Sequence, residues 1–204
     1  MDEYIPGHVY TNIVKMAEYR GIVLSSAALD KSEVVQKLNH FEFVTISGKR
    51  GDVLTMMILI APSSKYATKS GDFKKLLKGL PKIKESEKLD VVFVSEYALT
   101  IHIRKQILAF RTENPRIHIE NHDYELFLIE IPKHSSVPKH VIPSAEEVEE
   151  FCNMHYTNPA NFPKILQSDA VAVWIGLRPG MVVKVYRISE TAGSAVVYRV
   201  CVKG

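Results

Sequence analysis

The 204-residue sequence contains little cysteine and no apolar run long enough to cross a membrane. Its two cysteines, Cys152 and Cys201, form no CxxC motif, which excludes a metal knuckle or redox pair of that kind and leaves a single disulfide open. The longest apolar run, Met56–Ala61, is far shorter than the roughly 18 residues of a membrane span. The first residues lack the basic and apolar regions of a signal peptide. We therefore expect a soluble, intracellular protein of a reducing compartment.

Motifs of the common enzyme classes are also missing. The sequence contains no GxSxG nucleophile elbow, no HExxH zinc motif and no glycine-rich phosphate-binding fingerprint. A magnesium nuclease needs clustered acidic residues, and although Asp52 could supply the first of them, no Glu-x-Lys follows it. We therefore expect no catalytic residue, no cofactor and no metal, and a protein that is not itself an enzyme.

One histidine-rich segment, 118–123, keeps a metal site open as an alternative. On a β-strand, His118, Glu120 and His122 would share one face because side chains alternate between the two faces of a strand. Such a face suits zinc, but it suits a solvated sheet edge equally well. We favour the solvated edge because the spacing is not that of HExxH, which puts two histidines on one helix face with a glutamate base.

The composition, 46% hydrophobic and 24% charged, is that of a globular protein large enough to bury a core. Three prolines lie between positions 132 and 143, and proline is excluded from helix interiors and central strands. This segment is predicted to be an extended linker, because residues that precede proline favour extended conformations. The expected organisation is a first domain at 1–131, a linker at 132–143 and a second domain at 144–204.

The first part of the chain alternates helical and strand patterns, which predicts a mixed α/β domain. The run Asp90–Val94 is almost entirely apolar, as expected for a central strand covered on both faces. The predicted elements are helices at 10–20, 29–38 and 100–110, a hairpin of strands 41–47 and 53–61 around a turn at 48–52, and further strands at 90–94, 116–119 and 125–131.

The last part predicts a small α+β unit. Ser144 and Glu147 form an S-x-x-E capping box, in which Ser144 would accept the Glu147 amide and Glu147 would reach back. Asp169 is expected to cap a short helix that ends at Gly176, and a type II turn at 178–180 follows. Two β-rich runs, 181–188 and 195–202, are predicted to form a terminal hairpin.

Positive charge is concentrated between positions 49 and 84, where nine basic residues stand against two acidic ones. Lys74, Lys75 and Lys78 would lie on one helical face. That face could contact duplex phosphates without reading sequence, or it could be an ordinary solvated lysine-rich surface. The sequence leaves both interpretations open.

The C-terminal third carries an ordered series of short motifs, and this series resembles a known family. The motifs are VPKHV at 137–141, FPKI at 162–165, SDAVA at 168–172, GLRPGMVVKV at 176–185, RISETAG at 187–193 and YR at 198–199. The series is similar to the assembly domain of the fifth subunit shared by eukaryotic RNA polymerases I, II and III, and to the small archaeal polymerase subunit that corresponds to this domain. The resemblance covers Val137 to Val202.

This resemblance implies a non-catalytic subunit of a DNA-directed RNA polymerase. The assembly domain of the family docks on the largest subunit, and its N-terminal jaw domain, which has a nuclease-like fold without the nuclease acids, sits beside downstream duplex DNA. Glu190, Thr191, Tyr198 and Arg199 match motif positions, and we expect them to line or brace the docking surface. The alternative for Arg199 is an ion pair within the hairpin.

The first domain matches the family only in the order and length of its elements. The family's Thr-Pro-Ser-Ala segment is replaced here by Tyr97–Lys105, in which Arg104 and Lys105 could still face phosphates. A diverged jaw on a well-kept assembly domain resembles the asfarvirus-like copies of large DNA viruses, which transcribe in the host cytoplasm and package polymerase in the virion. A cellular copy would act in the nucleus. The remaining alternatives are a free-standing duplex-DNA-binding protein and a degenerate nuclease.

Overall fold

A computed structural model describes residues 4–25, 30–40, 43–60, 69–81, 83–84, 87–189 and 193–203. The chain divides into two compact units, Met1–Ile129 and Glu130–Gly204, called here the N-terminal and C-terminal units. Within the described residues, no helix is both long enough and apolar enough to cross a membrane.

The N-terminal unit is built on a five-stranded mixed sheet in the order β1-β2-β3-β4-β5. The first three strands are antiparallel neighbours, and β3, β4 and β5 run parallel. The expected mixed α/β class is confirmed. The elements are α1 (Tyr4–Tyr19), β1 (Val23–Leu24), α2 (Lys31–Asn39), β2 (Phe43–Arg50), β3 (Val53–Ile60), α3 (Ser70–Lys78), β4 (Lys88–Ser95), α4 (Ile101–Glu113), β5 (Ile117–Asp123) and a 3-10 helix (Tyr124–Phe127).

Strand β4 is central, as its apolar run predicts. Helices α3 and α4 pack on one face of the sheet, where Phe73 of α3 and Ile103 of α4 join Phe93 of β4 in one buried cluster. Val92 and Val94 point to the opposite face and are buried as well. Burial on both faces explains why β4 shows no alternation of polar and apolar residues.

Two predictions for this unit need correction at β2 and α1. The turn at 48–52 is shorter than expected, because β2 continues to Arg50 and pairs with β3 up to Val53. Gly48 lies within β2, where β1 approaches so closely that a side chain would not fit: a Cβ at this position would lie 2.7 Å from the Val23 carbonyl oxygen. Helix α1 begins at Tyr4 rather than at Tyr10, since a proline is tolerated in the first turn of a helix.

The prediction of a strand at 125–131 is wrong. The chain instead forms 3-10 helices at Tyr124–Phe127 and Ile131–Lys133. Tyr124 and Phe127, three residues apart, are both buried, and the Tyr124 hydroxyl donates to the Ile60 carbonyl at 2.6 Å. A three-residue repeat buries these two rings on one side, which a strand could not do.

The C-terminal unit contains a four-stranded sheet in the order β6-β8-β9-β7. Strands β6 and β9 are antiparallel to β8, and β7 is parallel to β9. After the 3-10 helix at Ile131–Lys133, its elements are β6 (Lys139–Val141), α5 (Ala145–Met154), a 3-10 helix (Pro159–Asn161), β7 (Lys164–Leu166), α6 (Ala170–Ile175), β8 (Val182–Ser189) and β9 (Gly193–Val202).

The segment 132–143, expected to be a linker, belongs to this unit. Its residues Lys139–Val141 form β6 and pair with Tyr186–Lys184 of β8. The prolines are compatible with this arrangement because Pro138 and Pro143 flank a short edge strand instead of interrupting a central one. The units therefore divide at Ile129/Glu130.

The predicted helix caps and the turn in the C-terminal unit are confirmed, except for the Glu147 half of the capping box. Ser144 accepts the Glu147 amide at 3.2 Å, and Asp169 accepts the amides of Val171 and Ala172. Gly176 ends α6 with a φ of 71°, and Gly180 has a φ of 91° in the predicted turn. The hairpin β8–β9 follows the predicted pattern, with its tip at 190–192 outside the described residues.

Candidate functional site

Helix α3 separates its apolar and basic residues onto opposite sides. Lys74, Lys75 and Lys78 are exposed, whereas Phe73, Leu76 and Leu77 are buried against the sheet. Lys75 is 83% exposed and lies 3.4 Å from Asp72, and an exposed ion pair of this kind contributes little to stability. The three lysines predicted to share one face are therefore all available to a ligand.

Helix α4 carries two further cations on the same face of the sheet as α3. Arg104 and Lys105 are exposed, and the Arg104 Nε donates to the Leu99 carbonyl at 2.9 Å. Both helices pack on the same face of the sheet through the cluster around Phe93. The Gln106 amide also donates to the Ser70 hydroxyl and so joins α4 to the start of α3. The structure thus brings the two basic groups onto one side of the N-terminal unit.

The histidine-rich strand lies at the edge of the sheet, but its side chains are not solvated as expected. His118, Glu120 and His122 share one face of β5, as predicted, but Glu120 is 12% exposed and its carboxylate lies 2.9 Å from the Arg20 guanidinium. Each histidine places its Nε2 3.2 Å from a different Glu120 oxygen. Among the described residues, no group of histidine, cysteine and acidic side chains has a geometry that could hold a metal ion.

The partners of Glu120 determine its charge. Burial alone would raise the pKa of this carboxyl, but Arg20 and the two histidines hold the pKa well below its usual range. Glu120 is therefore an ionised carboxylate, and its ion pair with Arg20 joins the edge strand β5 to the residue that follows α1. Arg20 is the residue that sequence reasoning missed here, because its partner lies 100 positions away.

Tyr198 is a buried residue of the C-terminal unit rather than a surface group. It is 7% exposed, and the centre of its ring lies 4.2 Å from the centre of the Phe151 ring and 5.9 Å from that of Phe162. Its hydroxyl donates to Glu147 at 2.9 Å. This burial does not fit the expected role of lining a docking surface, and the expected role of bracing one stays a prediction.

Arg199 is half-buried, and its guanidinium donates to the Lys164 carbonyl of β7 at 3.3 Å. Among the described residues, Arg199 forms no ion pair within the hairpin, so that alternative stays a prediction. Glu190 and Thr191, the other two expected docking residues, lie outside the described residues.

Glu147 has a different role from the one predicted by the capping box. Its Oε1 accepts hydrogen bonds from Lys184 at 2.6 Å and from Tyr198, so it does not reach back to the helix start as predicted. The Lys184 ammonium, followed by the Tyr198 hydroxyl, lowers the pKa of Glu147. The same contact with Glu147 raises the pKa of Lys184. This triad ties α5 to both strands of the terminal hairpin.

The chain is similar to known proteins over nearly its whole length. Residues 129–201 match the family described as RNA polymerase Rpb5, C-terminal domain. Over 197 residues, the chain is 33% identical to the DNA-directed RNA polymerase RPB5 homolog of African swine fever virus, isolate Warthog/Namibia/Wart80/1980, covering 96% of both proteins. The chain belongs to the RPB5 family. Two cellular relatives match over a smaller part of the chain.

Two cellular RPB5-family proteins illustrate the difference. The RNA polymerases I, II and III subunit rpabc1 of Dictyostelium discoideum is 38% identical over 98 residues, which is 48% of this chain and 50% of that protein. The Caenorhabditis elegans subunit RPABC1 is 39% identical over 88 residues, or 43% and 42%. The viral relatives match across both units, which agrees with the resemblance to asfarvirus-like copies inferred from the sequence.

Proposed function

We propose that this RPB5-family protein is a non-catalytic subunit of a DNA-directed RNA polymerase. Its C-terminal unit would hold it on the largest subunit, and its N-terminal unit would lie beside downstream duplex DNA. The observation that carries the proposal is the 33% identity over 96% of both chains, because it spans the family-matched region at 129–201 and the unit before it.

The contacts of Glu120 support a structural role for this residue. A general base or metal ligand needs a carboxylate oxygen free for substrate or metal. Both Glu120 oxygens instead lie within 3.2 Å of Arg20, His118 or His122. A carboxylate held in this way stabilises the fold and is not available for chemistry.

The basic side of the N-terminal unit supports DNA contact without sequence recognition. Exposed ammonium and guanidinium groups on α3 and α4 can pair with phosphates, and such contacts release counterions whatever the base sequence. The phosphates of downstream duplex DNA would therefore be contacted by Lys74, Lys75, Lys78, Arg104 and Lys105.

Charge reversal on α3 tests this contact. Lys74→Glu, Lys75→Glu and Lys78→Glu together are expected to leave assembly intact and to weaken the binding of downstream DNA by the assembled polymerase. The slope of log K against log salt should become shallower by up to about 3, since each lost phosphate contact removes about 0.9.

The matched control is Lys31→Glu with Lys37→Glu on α2, where both lysines are exposed but lie outside the α3–α4 side of the sheet. The control should bind DNA as the wild type does. An unchanged DNA affinity and salt slope in the α3 variant would show that these lysines are an ordinary solvated surface.

The whole-chain similarity to viral relatives favours a viral polymerase, which would work in the host cytoplasm and be packaged in the virion. The relatives from cellular polymerases keep a nuclear location as the alternative. Localisation of a tagged copy during infection or in uninfected cells separates the two.

Subunit membership is tested by purifying the tagged protein from cells that make its native partners, with a high-salt wash and mass spectrometry. Stoichiometric recovery of two very large polymerase subunits is the expected result. Recovery of the protein alone, or with DNA that salt removes, would favour the free-standing duplex-DNA-binding alternative. Metal-dependent DNA cleavage that Asp52→Ala abolishes would instead favour a degenerate nuclease.

A further inference from the structure

The two faces of the C-terminal sheet are covered to different extents. On one face, Val183, Val185 and Cys201 pack in a buried cluster with residues of α6. On the other face, α5 places Glu147 and Phe151 over Lys184 and Tyr198, which are direct partners across β8 and β9. The contacts of α5 described above stop at this Lys184–Tyr198 row.

The next row of this face is open. Lys139 of β6, Tyr186 of β8 and Val196 of β9 are cross-strand neighbours and therefore point to the same side. Tyr186 is 39% exposed and Val196 is 46% exposed. Val141, next to Lys184 on the same face, is also exposed. These four residues, Lys139, Val141, Tyr186 and Val196, are called here the open face.

The charge of the open face is positive. The Lys139 ammonium lies 5.9 Å from the centre of the Tyr186 ring, and the Lys184 ammonium lies 5.3 Å from it. Lys184 is held by Glu147, whereas Lys139 is exposed and forms no ion pair with an acidic side chain in the part of the chain that the structure describes. The open face thus combines an apolar centre with an ammonium group at its edge.

We propose that the open face binds a segment of another polymerase subunit that carries apolar side chains and a carboxylate. The apolar side chains would cover Tyr186, Val196 and Val141, and the carboxylate would pair with Lys139. Partly exposed aromatic residues next to a cation are typical of protein interfaces. DNA is less suited to this surface, because phosphates would leave the three apolar side chains without apolar partners. The inference rests on the proposed function, since it assumes a polymerase partner.

Two substitutions in the full-length protein test the proposal in the co-purification assay. Tyr186→Ser is expected to lower recovery of the large polymerase subunits at least about tenfold, the effect of removing an interface hot spot. Lys139→Glu should lower it in a salt-dependent manner. Tyr156→Ser and Lys133→Glu, which change exposed residues of the same unit, are the controls and should leave recovery unchanged.

A photo-crosslinking residue at position 186 then identifies the occupant. A crosslink to an acidic and apolar segment of a polymerase subunit supports the proposal. Crosslinks to DNA or to a second copy of this chain would overturn it, as would recovery of the subunits by both variants at the wild-type level. Failure of the wild type itself to recover polymerase subunits would overturn the proposed function, so the two failures are distinguishable. Tryptophan fluorescence of Trp174 checks that both variants are folded.

Discussion

Replacing Arg20 by methionine is expected to lower the free energy of unfolding of the N-terminal unit by about 3–5 kcal/mol. Methionine retains much of the apolar stem but removes the guanidinium that lies 2.9 Å from Glu120. The Glu120 carboxylate would then remain buried with only the two histidines beside it, and a buried charge that loses its ion pair is costly. The resulting loss would be a large fraction of the stability of an ordinary domain.

Hydrogen–deuterium exchange in peptides from α1 and β5 measures this effect directly, because Arg20 directly follows α1 and Glu120 lies in β5. Arg116→Met, which changes an exposed arginine before β5, is the matched control and should change stability by less than about 0.5 kcal/mol. Equal exchange rates in the two variants would mean that Arg20 contributes no more than a surface arginine.

The same carboxylate predicts how stability depends on pH. The folded-state pKa of Glu120 lies well below that of an unfolded glutamate, so the unfolded chain binds more protons as the pH falls. The stabilisation by Glu120 should be complete above the ordinary glutamate pKa of about 4.3 and should decrease as the pH falls from there through the lower folded pKa. Glu120→Gln should therefore lose less stability than the wild type in urea titrations at successively lower pH. Parallel curves would contradict this assignment.

Replacing Tyr198 by alanine is expected to destabilise the C-terminal unit by about 3–5 kcal/mol, the range for large-to-small changes at buried aromatic residues. The ring packs against Phe151 and Phe162, and its hydroxyl donates to Glu147. Tyr198→Phe keeps the ring contacts and removes only that hydrogen bond, so it should cost about 1 kcal/mol. The unfolding transition can be followed through the buried Trp174, the single tryptophan of the chain.

Tyr156→Ala is the control for the tyrosine series, since Tyr156 is 99% exposed in the same unit. Its expected effect is within about 0.5 kcal/mol. If Tyr198→Ala unfolded as the control does, the ring would not brace the hairpin. If it behaves as expected, loss of polymerase association in this variant would report on folding and not on a direct contact of Tyr198 with a partner.

Much of the fold follows from local signals. Ser144 and Asp169 cap the helices that begin after them, and Gly176 and Gly180 adopt the positive φ angles that their positions predict. The apolar run of β4 indicated a central strand because burial on both faces removes alternation. These features depend on neighbouring residues and are therefore visible in the sequence.

The remaining features depend on residues far apart in the chain. Glu147 fits a capping box, but its carboxylate is drawn to Lys184 and Tyr198 once the hairpin has formed. Glu120 looked like part of a solvated edge because Arg20 could not be placed beside it from the sequence. The motif at Tyr198 indicated the family correctly, but a motif does not show whether a side chain points outward or into the core.

Helix α3 has a consequence for how the protein can evolve. Its contribution to folding comes from Phe73, Leu76 and Leu77, while Lys74, Lys75 and Lys78 lie on the opposite side. Substitutions at the three lysines should therefore be nearly neutral for folding, and selection can act on them only through whatever molecule meets that surface. The strength of that encounter can be adjusted one codon at a time, without compensating changes in the core.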